Sequence, residues 1–109
     1  MYGLGRADEA LVHLGQAVAL SPEDAEARYD FGVFLLGRDR NAEAAKEFAA
    51  AIHARPGYAE AHNNLGIALG SQGRFDDAVA QFEHALRLNP SFEDAARNLD
   101  TARRARRIP

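Results

Sequence analysis

The sequence predicts an all-α solenoid, in which antiparallel helix pairs stack on one another along a chain of 109 residues. Two observations carry that prediction. Pro22, Pro56 and Pro90 are evenly spaced at 34 residues, and each is preceded by Ala at −12, a large apolar residue at −8 and Ala at −5; a period of this length means a stacked helical array. Within each period the apolar residues fall at helical spacing. Ala10, Leu14, Ala17 and Val18 recur as Ala44, Phe48, Ala51 and Ile52, and again as Ala78, Phe82, Ala85 and Leu86, which is i, i+4, i+7, i+8 and one helix face.

Upstream of that face a second pattern repeats: Ala27, Phe31, Gly32 and Leu35 return as Ala61, Leu65, Gly66 and Leu69. A glycine inside a helix costs about 1 kcal/mol relative to alanine. Gly32 and Gly66 are therefore expected where a neighbouring helix comes close.

Taken in order, Met1 to Gly5 corresponds to the end of a first helix and its turn, because Gly5 stands two periods before Gly73. Roughly Ala7 to Leu20 is then a second helix without its partner, ending at Ser21-Pro22. Its stripe of Ala10, Leu11, Leu14 and Val18 is expected to lack part of its cover, so the chain is read either as a piece of a longer array or as one whose open edge meets a second copy. Asp24 to Gly37 and Ala42 to His53 form a complete pair. Asp39 holds the place of Gly5 and Gly73, a position suited to left-handed backbone. Tyr58 to Ser71 and Phe75 to Leu88 form the second pair. Phe92 to about Arg106 is the last helix, with Ser91 and Asp94 spaced as a capping box and Ala95, Ala96 and Leu99 expected on its packing face. Asp100 and Arg103 replace the inner Gly and Leu there, so it is expected to close the array with a polar outer face. The units are thus 1–24, 25–58, 59–92 and 93–109.

At these residues the chain resembles the tetratricopeptide repeat, whose signature has a Leu-Gly pair, a later Ala-x-x-x-Phe and a closing Pro. Leu65-Gly66, Ala78 with Phe82, and Pro90 fit directly; Phe31-Gly32, Ala44 with Phe48, and Pro56 fit with one conservative swap. Arg28 and His62 stand where the signature has Trp, and Leu35 and Leu69 where it has Tyr. The resemblance implies a right-handed α-solenoid of about six helices whose first helices line a concave groove that holds peptide or protein.

Composition bounds the chemistry. Nearly half the residues are apolar, cysteine is absent and the net charge is −3, which argues for one domain without disulfides or zinc-thiolate sites. No apolar run is long enough to span a membrane, and the N-terminus lacks the pattern of a signal peptide, so the expected location is the cytoplasm unless a targeting segment lies outside this stretch. Arg-, Ala- and Gly-rich usage points to a GC-rich bacterial genome. From Glu93 onward five arginines face three carboxylates, leaving −5 on the residues before it. The Arg103-Arg104 and Arg106-Arg107 cluster is read as dipole complementation and solubility at a helix end rather than as a nucleic-acid site, because no aromatics are interleaved for stacking.

A search for catalytic constellations leaves none. The hydroxyls Ser21, Ser71, Ser91 and Thr101 have no histidine at useful spacing. His13, His53, His62 and His84 form no i, i+4 pair and are read as isolated, so neither metal nor cofactor is expected. What remains is a binding surface, and the resemblance puts it on the inner faces of the first helices: Tyr29, Asp30 and Val33, then Asn63, Asn64 and Ile67, then Arg97, Asn98 and Thr101. Asn64 and Asn98 are one period apart, and a column of amides can pair with an extended backbone whatever its sequence. The Asn-Asn-Leu-Gly run is similar to the arrays attached to O-linked N-acetylglucosamine transferases, where an asparagine ladder holds client polypeptide. On this reading Asn64→Ala with Asn98→Ala weakens binding at unchanged melting temperature. The chaperone-adaptor clamp for a C-terminal carboxylate fits poorly: of its five residues only Asn64 is present, with Tyr29, Val33, Asp94 and Asn98 in the other places. The expected function is an adaptor or scaffold module without enzymatic activity. A regulatory array of a larger enzyme such as a glycosyltransferase, or self-association through the uncovered first helix, are the alternatives.

Overall fold

A computed structural model describes residues 5–108 as six α-helices with no strand among them. They are α1 (Arg6–Leu20), α2 (Ala25–Gly37), α3 (Asn41–Ala54), α4 (Ala59–Ser71), α5 (Phe75–Leu88) and α6 (Glu93–Arg106). Every boundary lies within a residue or two of the expected one. The end of a first helix expected before Gly5 falls on residues 1–4, outside the described residues.

Two turns alternate along the chain, each written by local sequence. Between units, the N–H groups of Asp24, Tyr58 and Phe92 donate to the carbonyls of Ser21, Arg55 and Asn89 at 3.0–3.1 Å. This three-residue closure follows each preset proline, whose fixed φ suits the second position of such a turn. Within a pair, Arg40 and Arg74 N–H reach back to Leu35 and Leu69 C=O at 3.0 Å, the Schellman closure of a helix end. That closure needs left-handed backbone one residue earlier, where Asp39 has φ 60° and Gly73 φ 79°. Gly5 departs from this series with φ −69°. Helix α1 begins one residue earlier than its counterparts, which makes Gly5 an N-cap in extended conformation.

Asp24 caps α2 by accepting from Glu26 N–H at 3.0 Å and Ala27 N–H at 3.2 Å. The capping box expected from Ser91 and Asp94 does not form. Phe92 is the N-cap of α6, because Ser91 is drawn into a turn in which its N–H and Oγ both bond Asn89 Oδ1.

Consecutive helices pack in antiparallel pairs, and α2, α4 and α6 also touch one another as an inner row. The core runs between the layers, with Ala44, Phe48, Ala51, Ala61, Ala78, Phe82, Ala85 and Ala95 at 3% exposure or less. Gly32 and Gly66 lie against the rings of Phe48 and Phe82, so each signature glycine receives the aromatic of its own pair. Helix α1 is less covered: Ala10 and Leu14 are half-buried, Ala17 is exposed, and Val12 and Leu20 stand 44% and 84% exposed. In α6, Ala95 and Leu99 are buried as expected but Ala96 is exposed. Ala96 holds the place of Arg28 and His62, whose partners lie on the second helix of their own pair, and no such helix follows α6 among the described residues.

Candidate peptide-binding groove

The inner row α2–α4–α6 is tied together by one hydrogen bond made twice. Asn64 Nδ2 donates to Tyr29 Oη at 3.0 Å, and Asn98 Nδ2 donates to Asn63 Oδ1 at 3.0 Å; each pair is separated by 35 residues, one period plus one. Asn63 Nδ2 donates to Asn64 Oδ1 at 3.2 Å and joins the two. A directed chain therefore runs Asn98, Asn63, Asn64, Tyr29 across three helices, with an amide carbonyl of Asn98 at one end and the Tyr29 O–H proton at the other.

This arrangement modifies the asparagine column read from the sequence. Asn64 and Asn98 do share one side of the molecule, but Asn63 is 5% exposed and its amide is taken up by bonds to Asn64 and Asn98. Asn64→Ala with Asn98→Ala would strand partners in this part-buried network, so the pair is now expected to lower the melting temperature rather than leave it unchanged.

Tyr29 anchors the α2 end of the row. Its ring stacks on Tyr58 with centroids 5.0 Å apart and tilts against Phe48 at 5.8 Å, and the Arg55 guanidinium lies 4.6 Å above the Tyr58 ring while reaching Glu26 at 3.4 Å. Burial raises the Tyr29 hydroxyl above the usual phenol range, followed by the field of Glu60; the Asn64 bond opposes this, and Asp30 adds to it. Asp30 and Glu60 are exposed, and neither is in an ion pair among the described residues. Val33 stands 42% exposed on the same helix.

At the α6 end the charges are internally matched. Arg97 pairs with Asp94 and Glu93, and Arg104 with Asp100. Thr101 Oγ1 bonds back to Arg97 C=O at 3.0 Å. Arg103 and Arg106 are held by Glu83 and Asp76 on α5, so three of the four clustered arginines are occupied by carboxylates. Between α4, α5 and α6 opens a cavity of about 240 Å³, lined by the apolar Ile67, Phe75, Phe82 and Ala102 and by the polar Ser71, Asn98 and Thr101. Three residues singled out in the sequence (Ile67, Asn98 and Thr101) thus converge on one pocket.

The histidines read as isolated are not all so. His62 and His84 stack face to face, 4.2 Å apart and 5° from parallel. His62, in the place of the signature Trp, contacts Gln81 Oε1 at 2.8 Å and Pro56 C=O at 3.3 Å. One period earlier Arg28 makes the same two contacts, with Glu47 at 2.9 Å and Pro22 C=O at 3.0 Å. A polar clasp from first helix to second helix and to the entering turn therefore replaces the Trp in both pairs. Among the described residues no three His, Asp or Glu side chains gather to hold a metal, and no helix is long and apolar enough to cross a membrane.

Sequence models of the tetratricopeptide repeat match residues 1–66 and 59–92, and the chain belongs to that family of protein-interaction modules. A search of curated proteins returns no match. Among solved structures it is similar to YrrB, described as a TPR protein with an unusual peptide-binding site (30% identity, TM-score 0.80, covering 84% of this chain and 47% of that one). It is also similar to MamA (27%, TM-score 0.88, 95% and 57%) and to the O-GlcNAc transferase of Thermobaculum terrenum (26%, TM-score 0.82, 90% and 19%). The chain spans about half the length of the YrrB and MamA chains. The first TPR of Spaghetti (RPAP3), bound to an HSP90 peptide, shares the fold at 20% identity and TM-score 0.88, covering 93% of this chain and 80% of that one.

Proposed function

We propose that this chain is a non-catalytic adaptor module that holds a peptide or protein segment along the inner row of α2, α4 and α6. The observation that carries this reading is the hydrogen-bonded row from Asn98 to Tyr29. It fixes three helices in register and presents a donor and an acceptor at its ends, beside exposed Val33, Asp30 and Arg97. Hydrogen-bonding groups held rigid in this way bind a partner without paying for their own ordering. The peptide-bound state of Spaghetti's first TPR and the peptide-binding site ascribed to YrrB support a polypeptide as the partner. The arginine pairing in α6 supports neither a nucleic-acid nor a membrane surface.

The test is a random peptide library displayed on phage and selected on the immobilised domain. Selected peptides should lose affinity for Val33→Lys and Thr101→Lys, both at exposed inner-row positions, at unchanged melting temperature. Equal affinity for both variants would contradict the groove.

A second reading rests on α1, where Val12 and Leu20 are exposed beside half-buried Leu11 and Leu14: self-association through that helix. Light scattering at two concentrations tests it, and a monomer at the higher one excludes it. Service as the recruiting array of a larger enzyme is the same groove reading in another setting.

A further inference from the structure

Resting on the groove reading, we infer that the cavity between α4, α5 and α6 is a side-chain pocket, and that the segment it serves carries an aliphatic residue of leucine size together with Lys or Arg toward the Tyr29 end. Size decides the first part. At about 240 Å³ the space falls below the roughly 300–1,000 Å³ of pockets for drug-sized ligands and cofactors, yet it readily accepts one side chain. Its chemistry agrees: Ile67, Phe75 and Phe82 give a mainly apolar lining, and Ser71, Asn98 and Thr101, which line it too, are the polar groups that would meet the backbone of the same peptide.

Charge decides the second part. At the α6 end Arg97 and Arg104 are already matched by Asp94, Glu93 and Asp100, which cancels their pull on an acidic ligand. At the α2 end Asp30 and Glu60 are exposed beside the Tyr29–Tyr58 stack and pair with no cation among the described residues. Arg55 over the Tyr58 ring shows the kind of group this corner takes, a cation on an aromatic face with a carboxylate beside it. The hydrogen-bonded row joins the two ends and sets the direction in which a bound segment reads.

The experiment uses the same phage-displayed library. Peptides recovered on the domain should contain Leu, Ile or Met a few residues from Lys or Arg. Ala105→Leu, which fills the pocket from α6, should weaken them about tenfold or more, the worth of burying one aliphatic side chain. Ser71→Leu repeats the test from α4, and a melting temperature no lower than that of the parent shows that the fill has not disturbed the fold. Asp30→Lys with Glu60→Lys should abolish the preference for basic peptides. Peptides weakened by Val33→Lys but indifferent to both fills would overturn the pocket while leaving the groove standing. Acidic consensus peptides would overturn the charge assignment, and peptides indifferent to every inner-row variant would overturn the groove itself.

Discussion

Phe48 lies so close to the backbone of Gly32 that a methyl group on the glycine would come within 2.6 Å of its ring, and Phe82 stands to Gly66 in the same way at 2.5 Å. These two contacts set the spacing between the helices of each pair. Gly66→Ala should therefore destabilise by about 1–3 kcal/mol, because overpacking outweighs the gain of about 1 kcal/mol in helix propensity. Gly15, inside α1, has nothing within 4 Å of the same position, so Gly15→Ala should stabilise by about 0.5–1 kcal/mol. Denaturant unfolding of the two variants should give opposite signs.

Gly73 and Asp39 close the two helix pairs with left-handed backbone. A side chain with a Cβ costs about 1–2 kcal/mol there unless it is Asn or Asp, whose short polar chain bonds locally. Gly73→Ala should lower stability by about that amount, whereas Asp39→Asn should change it by less than about 0.5 kcal/mol. Thermal melts of both variants check the difference.

Burial first, then the neighbouring His62 and Arg87, hold the His84 imidazole below its ordinary range. The unfolded chain then takes up the proton more readily than the folded one, so stability rises with pH between the lowered value and the ordinary one of about 6.5. Acidification below about pH 6.5 should lower the melting temperature, and His84→Gln should flatten part of that slope. A slope identical in the variant would place the sensitivity elsewhere.

Most of the fold was legible in the sequence because it is written three times. The proline period and the repeated apolar faces gave six helices to within a residue or two, and the glycine positions gave the close approaches. The site was legible in part. Face assignment put Asn63 in the groove because helical spacing alone cannot tell an inward-facing amide from one wedged between neighbouring first helices. The signal lay in the period: residue n meets n+35, which pairs Tyr29 with Asn64 and Asn63 with Asn98. The stack of His62 on His84 was missed for a related reason. It joins the first and second helices of one pair, and spacing along a single helix carries no sign of such a contact. The capping box at Ser91 failed because a competing turn at Asn89 captured the serine.

Asn63 holds the row together, so Asn63→Ala should cost about 1–3 kcal/mol by orphaning buried amide partners. Arg97 is exposed and its ion pairs lie within α6, so Arg97→Ala should change stability by less than about 0.5 kcal/mol. Chemical denaturation separates them.

In the proposed function the inner face of the stack meets the partner, and amide shift mapping of the ¹⁵N-labelled domain with a library-selected peptide tests that directly. Perturbations should follow the inner row through Tyr29, Val33, Asn64, Ile67, Asn98 and Thr101, leaving exposed positions of α3 and α5 such as Lys46 and Ala80 unmoved. Shifts concentrated on those outer helices instead would contradict it.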